Sequence, residues 1–169
     1  MNFSIKLLLL FLAVFGFIFF MKSHSESSFD CGMAYSDGKP LGNEQCVKID
    51  GSPVVVQTAE KYYVMRDAAK KDGVNLSINS GFRTYEEQEY FYNCYLTKSC
   101  NNGNFAMPPG YSNHENGIAL DINYHGPNYA WLSTNATEFG FVRTVESEKW
   151  HWEYRPGSKC NEFVNYTCN

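Results

Sequence analysis

The sequence predicts an α+β fold with a mostly antiparallel central sheet flanked by helices. Two observations carry that expectation. Apolar residues recur at helical spacing in some stretches and alternate with period two in others. The two kinds of stretch follow one another without the regular βαβ repeat that a parallel sheet requires. Composition agrees: of 169 residues, 44% are hydrophobic and 19% charged, which describes a globular chain and excludes a disordered, collagenous or many-spanning one.

Residues 1–25 stand apart. Lys6 precedes an unbroken apolar run over residues 7–21, and the small polar segment Lys22-Ser23-His24-Ser25 follows. This is the pattern of a secretory signal cleaved after Ser25. The run falls short of the roughly 20 residues of a spanning helix, so an uncleaved membrane anchor is the weaker alternative. Residues 26–169 read as a single domain, large enough to bury roughly two-thirds of its unfolded surface and expected to be a monomer. Within it, residues 30–51 are rich in Gly, Asp and Pro, and an irregular segment tied down by a disulfide is expected there.

The remaining elements follow in order. Between residues 54 and 71, Tyr62, Met65 and Ala69 make a helix stripe, and Gly73 is placed to end it. Leu76 and Ile78 alternate with polar neighbours, so a short strand leads into Ser80-Gly81-Phe82-Arg83. Thr84 followed by Glu87 is a capping-box pattern, opening a helix that runs to about Thr97. After the Pro108-Pro109-Gly110 turn, period two through residues 118–122 puts Ile118, Leu120 and Ile122 on one face and Asp121 on the other. Pro127 starts a further helix, expected to end near Gly140. Strands are expected over 141–145 and 150–154, the latter sending Trp150, Trp152 and Tyr154 one way and His151 and Glu153 the other.

Charge and cysteine usage bound the function. Lys6 and Lys22 fall in the leader whereas all 18 acidic residues lie beyond it, leaving 12 basic residues and a net charge of −6 for the domain. Such a domain is not built to bind nucleic acid. All six cysteines, Cys31, Cys46, Cys94, Cys100, Cys160 and Cys168, lie after the leader, and no CxxC occurs. An even count behind an export signal points to disulfides and an extracytoplasmic or secreted protein. Proximity along the chain favours the pairs 31–46, 94–100 and 160–168. Sequons stand at Asn75, Asn135 and Asn165.

Three histidines remain for chemistry in the domain, His114, His125 and His151. His125, in a His-Gly-Pro turn, reads as a structural residue. The polar faces of the Asp121 and His151 strands could converge with His114, and two imidazoles, one carboxylate and an open position make a catalytic zinc set. Asp121 taken alone could equally be a turn or cap residue, but inside an apolar strand a carboxylate needs a partner or a metal.

At these residues the chain resembles a known family. Ser112-x-His114-x-x-Gly117-x-Ala119-x-Asp121 and Glu148-x-Trp150-His151 look like the two signatures of the zinc D-alanyl-D-alanine carboxypeptidases, which trim peptidoglycan stem peptides and share their zinc core with the Hedgehog signalling domain and lysostaphin-type endopeptidases. Ser80-Gly81-Phe82-Arg83-Thr84 with Gln88, and Glu138-Phe139-Gly140-Phe141, match further motifs in family order. The resemblance implies a Hedgehog/D-Ala-D-Ala-peptidase-like fold, with Zn2+ held by His114, Asp121 and His151. It implies Glu148 as catalytic base, Arg83 as the group steadying a substrate oxygen, and Ser112 and Gln88 as substrate contacts. Stem peptide is the implied partner.

One residue departs from the pattern. Two positions after the second His the family usually carries a basic residue, and here Glu153 stands. An anion bordering the site would repel a substrate carboxylate and weaken strict C-terminal specificity, unless solvent screened it at the rim. Lys149, where Pro is commoner, is a tolerable change. Two alternatives stay open: an endopeptidase cutting between L-Ala and D-Glu, and a non-catalytic Hedgehog-like module that keeps zinc for structure or binding.

Overall fold

A computed structural model of the protein describes residues 26–157. The leader, the 160–168 cysteine pair and the Asn165 sequon lie outside the described residues. The fold is α+β, with two antiparallel sheets and three α-helices among the described residues.

The first sheet corrects the expectation for residues 30–51. Strands β1 (Phe29–Ser36), β2 (Lys39–Ile49) and β3 (Ser52–Val55) form a three-stranded meander in which every neighbour is antiparallel. The residues that suggested irregularity are its hairpin turns. Asp37-Gly38 and Asp50-Gly51 both take positive φ at both positions, and that backbone matches the right-handed twist of the strands they join. Cys31 and Cys46 are bonded across β1 and β2.

Helix α1 (Val56–Lys71) buries Tyr62, Met65 and Ala69 completely, the stripe read from their spacing. It closes at Gly73, whose N–H donates to Lys70 O while that of Val74 donates to Ala69 O, the paired bonds of a glycine C-terminus. Strand β4 (Ile78–Ser80) is shorter than its flanking alternation. Helix α2 (Tyr85–Thr97) opens on the capping box: Thr84 Oγ1 accepts from Glu87 N at 3.2 Å, and Glu87 Oε2 accepts from Thr84 N at 2.9 Å. Cys94 near its end is bonded to Cys100.

Strand β5 (Ala119–Ile122) is followed by α3 (Asn128–Asn135), which is shorter than expected because its last turn tightens into a 3-10 turn over Ala136–Phe139 before Gly140. Strand β6 keeps only Phe141–Val142 of the longer strand expected, and β7 spans His151–Tyr154. The second sheet has the order β4-β5-β7-β6, antiparallel throughout. Trp152, Phe141, Leu120, Ile122 and Leu132 meet Tyr62 and Met65 of α1 in one core. That core fixes one face of β5 and β7 and leaves the other free for polar work. Among the described residues no helix is long and apolar enough to cross a membrane.

Candidate metal centre

The register of the second sheet builds the site. Asp121 lies directly opposite His151 on β7 and is paired with Ser80 on β4. Because Leu120, Ile122 and Trp152 point into the core, strand alternation sends Asp121, His151 and Glu153 to the other face.

His114 arrives from the turn between Gly110 and Ile118. Ser112 Oγ accepts from His114 N at 3.2 Å, and Glu115, fully buried, accepts backbone N–H groups from Gly110 (2.8 Å) and Ser112 (3.1 Å), clamping the turn from within. Gly117 completes it at φ +78°, its carbonyl held by Thr58 Oγ1 at 2.8 Å. A Cβ there would lie 2.5 Å from Val55 Cγ2, so Gly117→Ala is expected to cost about 2–3 kcal/mol and lower Tm by roughly 5–10 °C in a thermal unfolding scan. An unchanged Tm would mean that the turn can take a side chain after all.

His114 Nε2 and His151 Nδ1 each stand 3.3 Å from Asp121 Oδ1, and the three donor atoms all lie within 4.8 Å of one another. Nitrogen and oxygen ligands about 2.0–2.1 Å from a tetrahedral zinc are separated by about 3.3–3.4 Å, so the donor types and the two distances to Asp121 fit that ion. The outer bonds fit as well. His114 Nδ1 faces Gly81 O at 2.7 Å, which assigns its proton to Nδ1 and leaves the Nε2 lone pair for a metal. His151 Nε2 faces Glu153 Oε1 at 3.0 Å, leaving Nδ1 towards Asp121.

Titration behaviour follows from these contacts. Burial pushes the His114 pKa down, towards the neutral imidazole a metal needs. Burial opposes charge on His151 too, but hydrogen bonds with Asp121 and Glu153 outweigh it and lift the pKa to about 9. Asp121 is held far below the ordinary carboxylate range: burial alone would raise it, and His114, His151 and Arg83 together reverse that. Glu148, whose Oε2 is 4.0 Å from His151 Nδ1, is raised by burial and by the charge of Asp121. A carboxylate raised in this way is better able to hold a proton than an ordinary surface carboxylate.

Arg83 Nη2 donates to Asp121 Oδ2 at 2.9 Å, its Nε to Ser80 Oγ at 3.1 Å and its Nη1 to Gln88 Oε1 at 3.4 Å. Gln88 in turn donates from Nε2 to Met107 O at 2.8 Å. Arg83, Gln88, Ser112 and Glu148 all border one groove of about 620 Å³, together with His114, Asp121 and His151. His125 lies elsewhere, exposed and against the Tyr124 ring.

The surroundings of two carboxylates emerge only in the fold. From the sequence alone Glu115 has no assigned role, and its full burial against backbone donors reveals a clamping one. Glu153, the departure from the family pattern, is buried among hydrogen-bonding partners and does not sit at a solvent-screened rim. It is 2% exposed, with Asn113 Nδ2 (2.8 Å) and Arg155 Nε (2.7 Å) both donating to it. Burial would raise its pKa, but hydrogen bonds with His151, Thr144 and Asn113 outweigh that and bring it down to about 2.

The sequence profile of the VanY D-alanyl-D-alanine carboxypeptidases matches residues 53–157. The chain belongs to that family. A D-alanyl-D-alanine carboxypeptidase of Enterococcus faecium is 30% identical over 115 residues, 58% of this chain, which spans only 36% of that protein's length. Among solved structures, VanYB in complex with D-alanine-D-alanine is 25% identical with a TM-score of 0.58, covering 72% of this chain and 84% of that one. A vancomycin-resistance D,D-pentapeptidase VanY variant in complex with Zn(II) is 26% identical, also with a TM-score of 0.58, covering 72% of this chain and 85% of that one.

All the candidate site residues fall inside the VanY-matching region, whereas β1 and β2 precede it. These two strands still serve the site. Tyr35 N donates to Glu115 O at 3.1 Å and Gly38 N to Gly110 O at 2.9 Å, so the hairpin braces the turn that carries His114.

Proposed function

We propose that this chain is a secreted zinc metallopeptidase that hydrolyses the D-Ala-D-Ala bond, or a related peptide bond, of peptidoglycan stem peptides. The observation that carries the proposal is the cluster of His114, Asp121 and His151, both imidazoles 3.3 Å from one Asp121 oxygen, with Glu148 beside it. Family membership supports the reaction class. Export is supported by the leader pattern and by two disulfides, which persist in an oxidising compartment.

His114, Asp121 and His151 would hold the ion. When bound, zinc supplies a Lewis acid that brings the pKa of a water towards about 7 and polarises a carbonyl. Glu148 takes the proton of the attacking water and delivers it to the leaving amine, so that one water is consumed and a carboxylate and an amine are released. Arg83 secures Asp121 and adds a fixed positive charge to a site where the substrate carbonyl oxygen becomes an oxyanion. Glu153 and the Gly81 carbonyl hold the two imidazoles in their working orientation.

Mass spectrometry of a stem pentapeptide incubated with the zinc-loaded protein tests the proposal. Loss of one terminal D-Ala is expected. A split after L-Ala would instead make the chain an endopeptidase, and an uncut peptide would make it a binding module.

A further inference from the structure

We infer that Arg155 is the groove's receptor for a carboxylate of the bound peptide, and thus a specificity-determining residue; this rests on the peptidase reading above. The groove is lined by two guanidinium groups, Arg83 and Arg155. Arg83 is largely committed to the protein. Three of its nitrogens donate to Ser80, Gln88 and Asp121, its carbon lies 4.5 Å from the centre of the Phe91 ring, and its side chain is 15% exposed.

Arg155 is in the opposite condition. Its side chain is 44% exposed at the groove, and its Nε donates to Glu153 Oε2 at 2.7 Å. That bond steadies one edge of a planar fork whose Nη donors have the spacing of a carboxylate. Glu153 does not cancel the attraction. Its carboxylate is almost wholly buried and turned to Asn113, His151 and Arg155, so the pair is a dipole with its positive end towards solvent in the groove.

Position supports the role. Glu153 bridges His151 Nε2 at 3.0 Å and Arg155 Nε at 2.7 Å, one oxygen to each, so the guanidinium stands one side chain away from a metal-binding imidazole. That path is at most about 10 Å, the reach of about three extended residues. A carboxylate of a peptide seated with its scissile bond at the trio therefore falls within range, whether it is the chain's C-terminus or an acidic side chain nearby. Both are the same chemistry to a guanidinium.

The test reads binding apart from turnover. Calorimetry would use the zinc-loaded Glu148→Gln protein, alone and combined with Arg155→Ala or Arg155→Lys. Three probes suffice: a stem pentapeptide with both carboxylates free, the same peptide amidated at its C-terminus, and the same peptide amidated at its D-Glu. Arg155→Ala is expected to weaken the free peptide by about 10- to 100-fold, with Lys recovering part of the loss and zinc content unchanged. The amidated probe that binds both proteins equally identifies which carboxylate Arg155 reads. Equal weakening of all three probes, or none, overturns the inference, as does failure of the parent protein to bind any of them. A chain that loses carboxylate binding with Arg155 but cuts no peptide retires the peptidase reading alone. An enzyme that cuts but is indifferent to Arg155 retires this inference alone.

Discussion

Glu148→Gln is expected to lower turnover by about 10² to 10⁴, or roughly 3–5 kcal/mol of barrier, while leaving the fold and the metal in place. Gln has almost the same volume and can still hydrogen-bond a water, so neither packing nor the trio changes. Its amide cannot take a proton at neutral pH. Glu148 also lies outside the His114, Asp121 and His151 set, so zinc content should remain at one per chain. The loss should appear in kcat with KM little altered, because the interaction removed operates in the transition state. Near-normal turnover in the zinc-loaded variant would make Glu148 a bystander.

His151→Ala is expected to be the more severe change at the metal. It removes a ligand and also takes from the buried Glu153 the imidazole that Oε1 faces at 3.0 Å. Substituting an outer partner of a ligand typically costs 10- to 100-fold in metal affinity, so losing the ligand itself should weaken zinc binding by more than about 100-fold and take turnover to background. Elemental analysis after gel filtration would show the metal lost. Full occupancy in this variant and in His114→Ala would sink the ligand assignment.

Much of the site could be read from the chain because strand alternation and motif spacing are local. Once Leu120, Ile122 and Trp152 are assigned to the core, Asp121 and His151 must face the other way, and the antiparallel register then sets them opposite each other. The helix carrying Gln88 was equally legible, since a capping box is satisfied within four residues. Residues 30–51 were misread for a local reason: Asp-Gly pairs were counted as loop composition instead of as two hairpin turns. Long-range partnerships left no such trace. Glu115 serves the turn by total burial, and Glu153 changes meaning once Asn113, forty residues earlier, and Arg155 are seen to bond it. A carboxylate's effect depends on what surrounds it, and periodicity does not specify surroundings.

A zinc titration of the metal-free protein shows whether a single zinc at His114, Asp121 and His151 makes this chain a peptidase. The wild-type domain would be stripped with a chelator, and release of D-Ala from a stem pentapeptide followed as zinc is returned. No turnover is expected without metal, then a linear rise with added zinc and a break at one equivalent per chain. Turnover that persists in the stripped protein, or a protein that takes up one zinc and still cuts nothing, would contradict it.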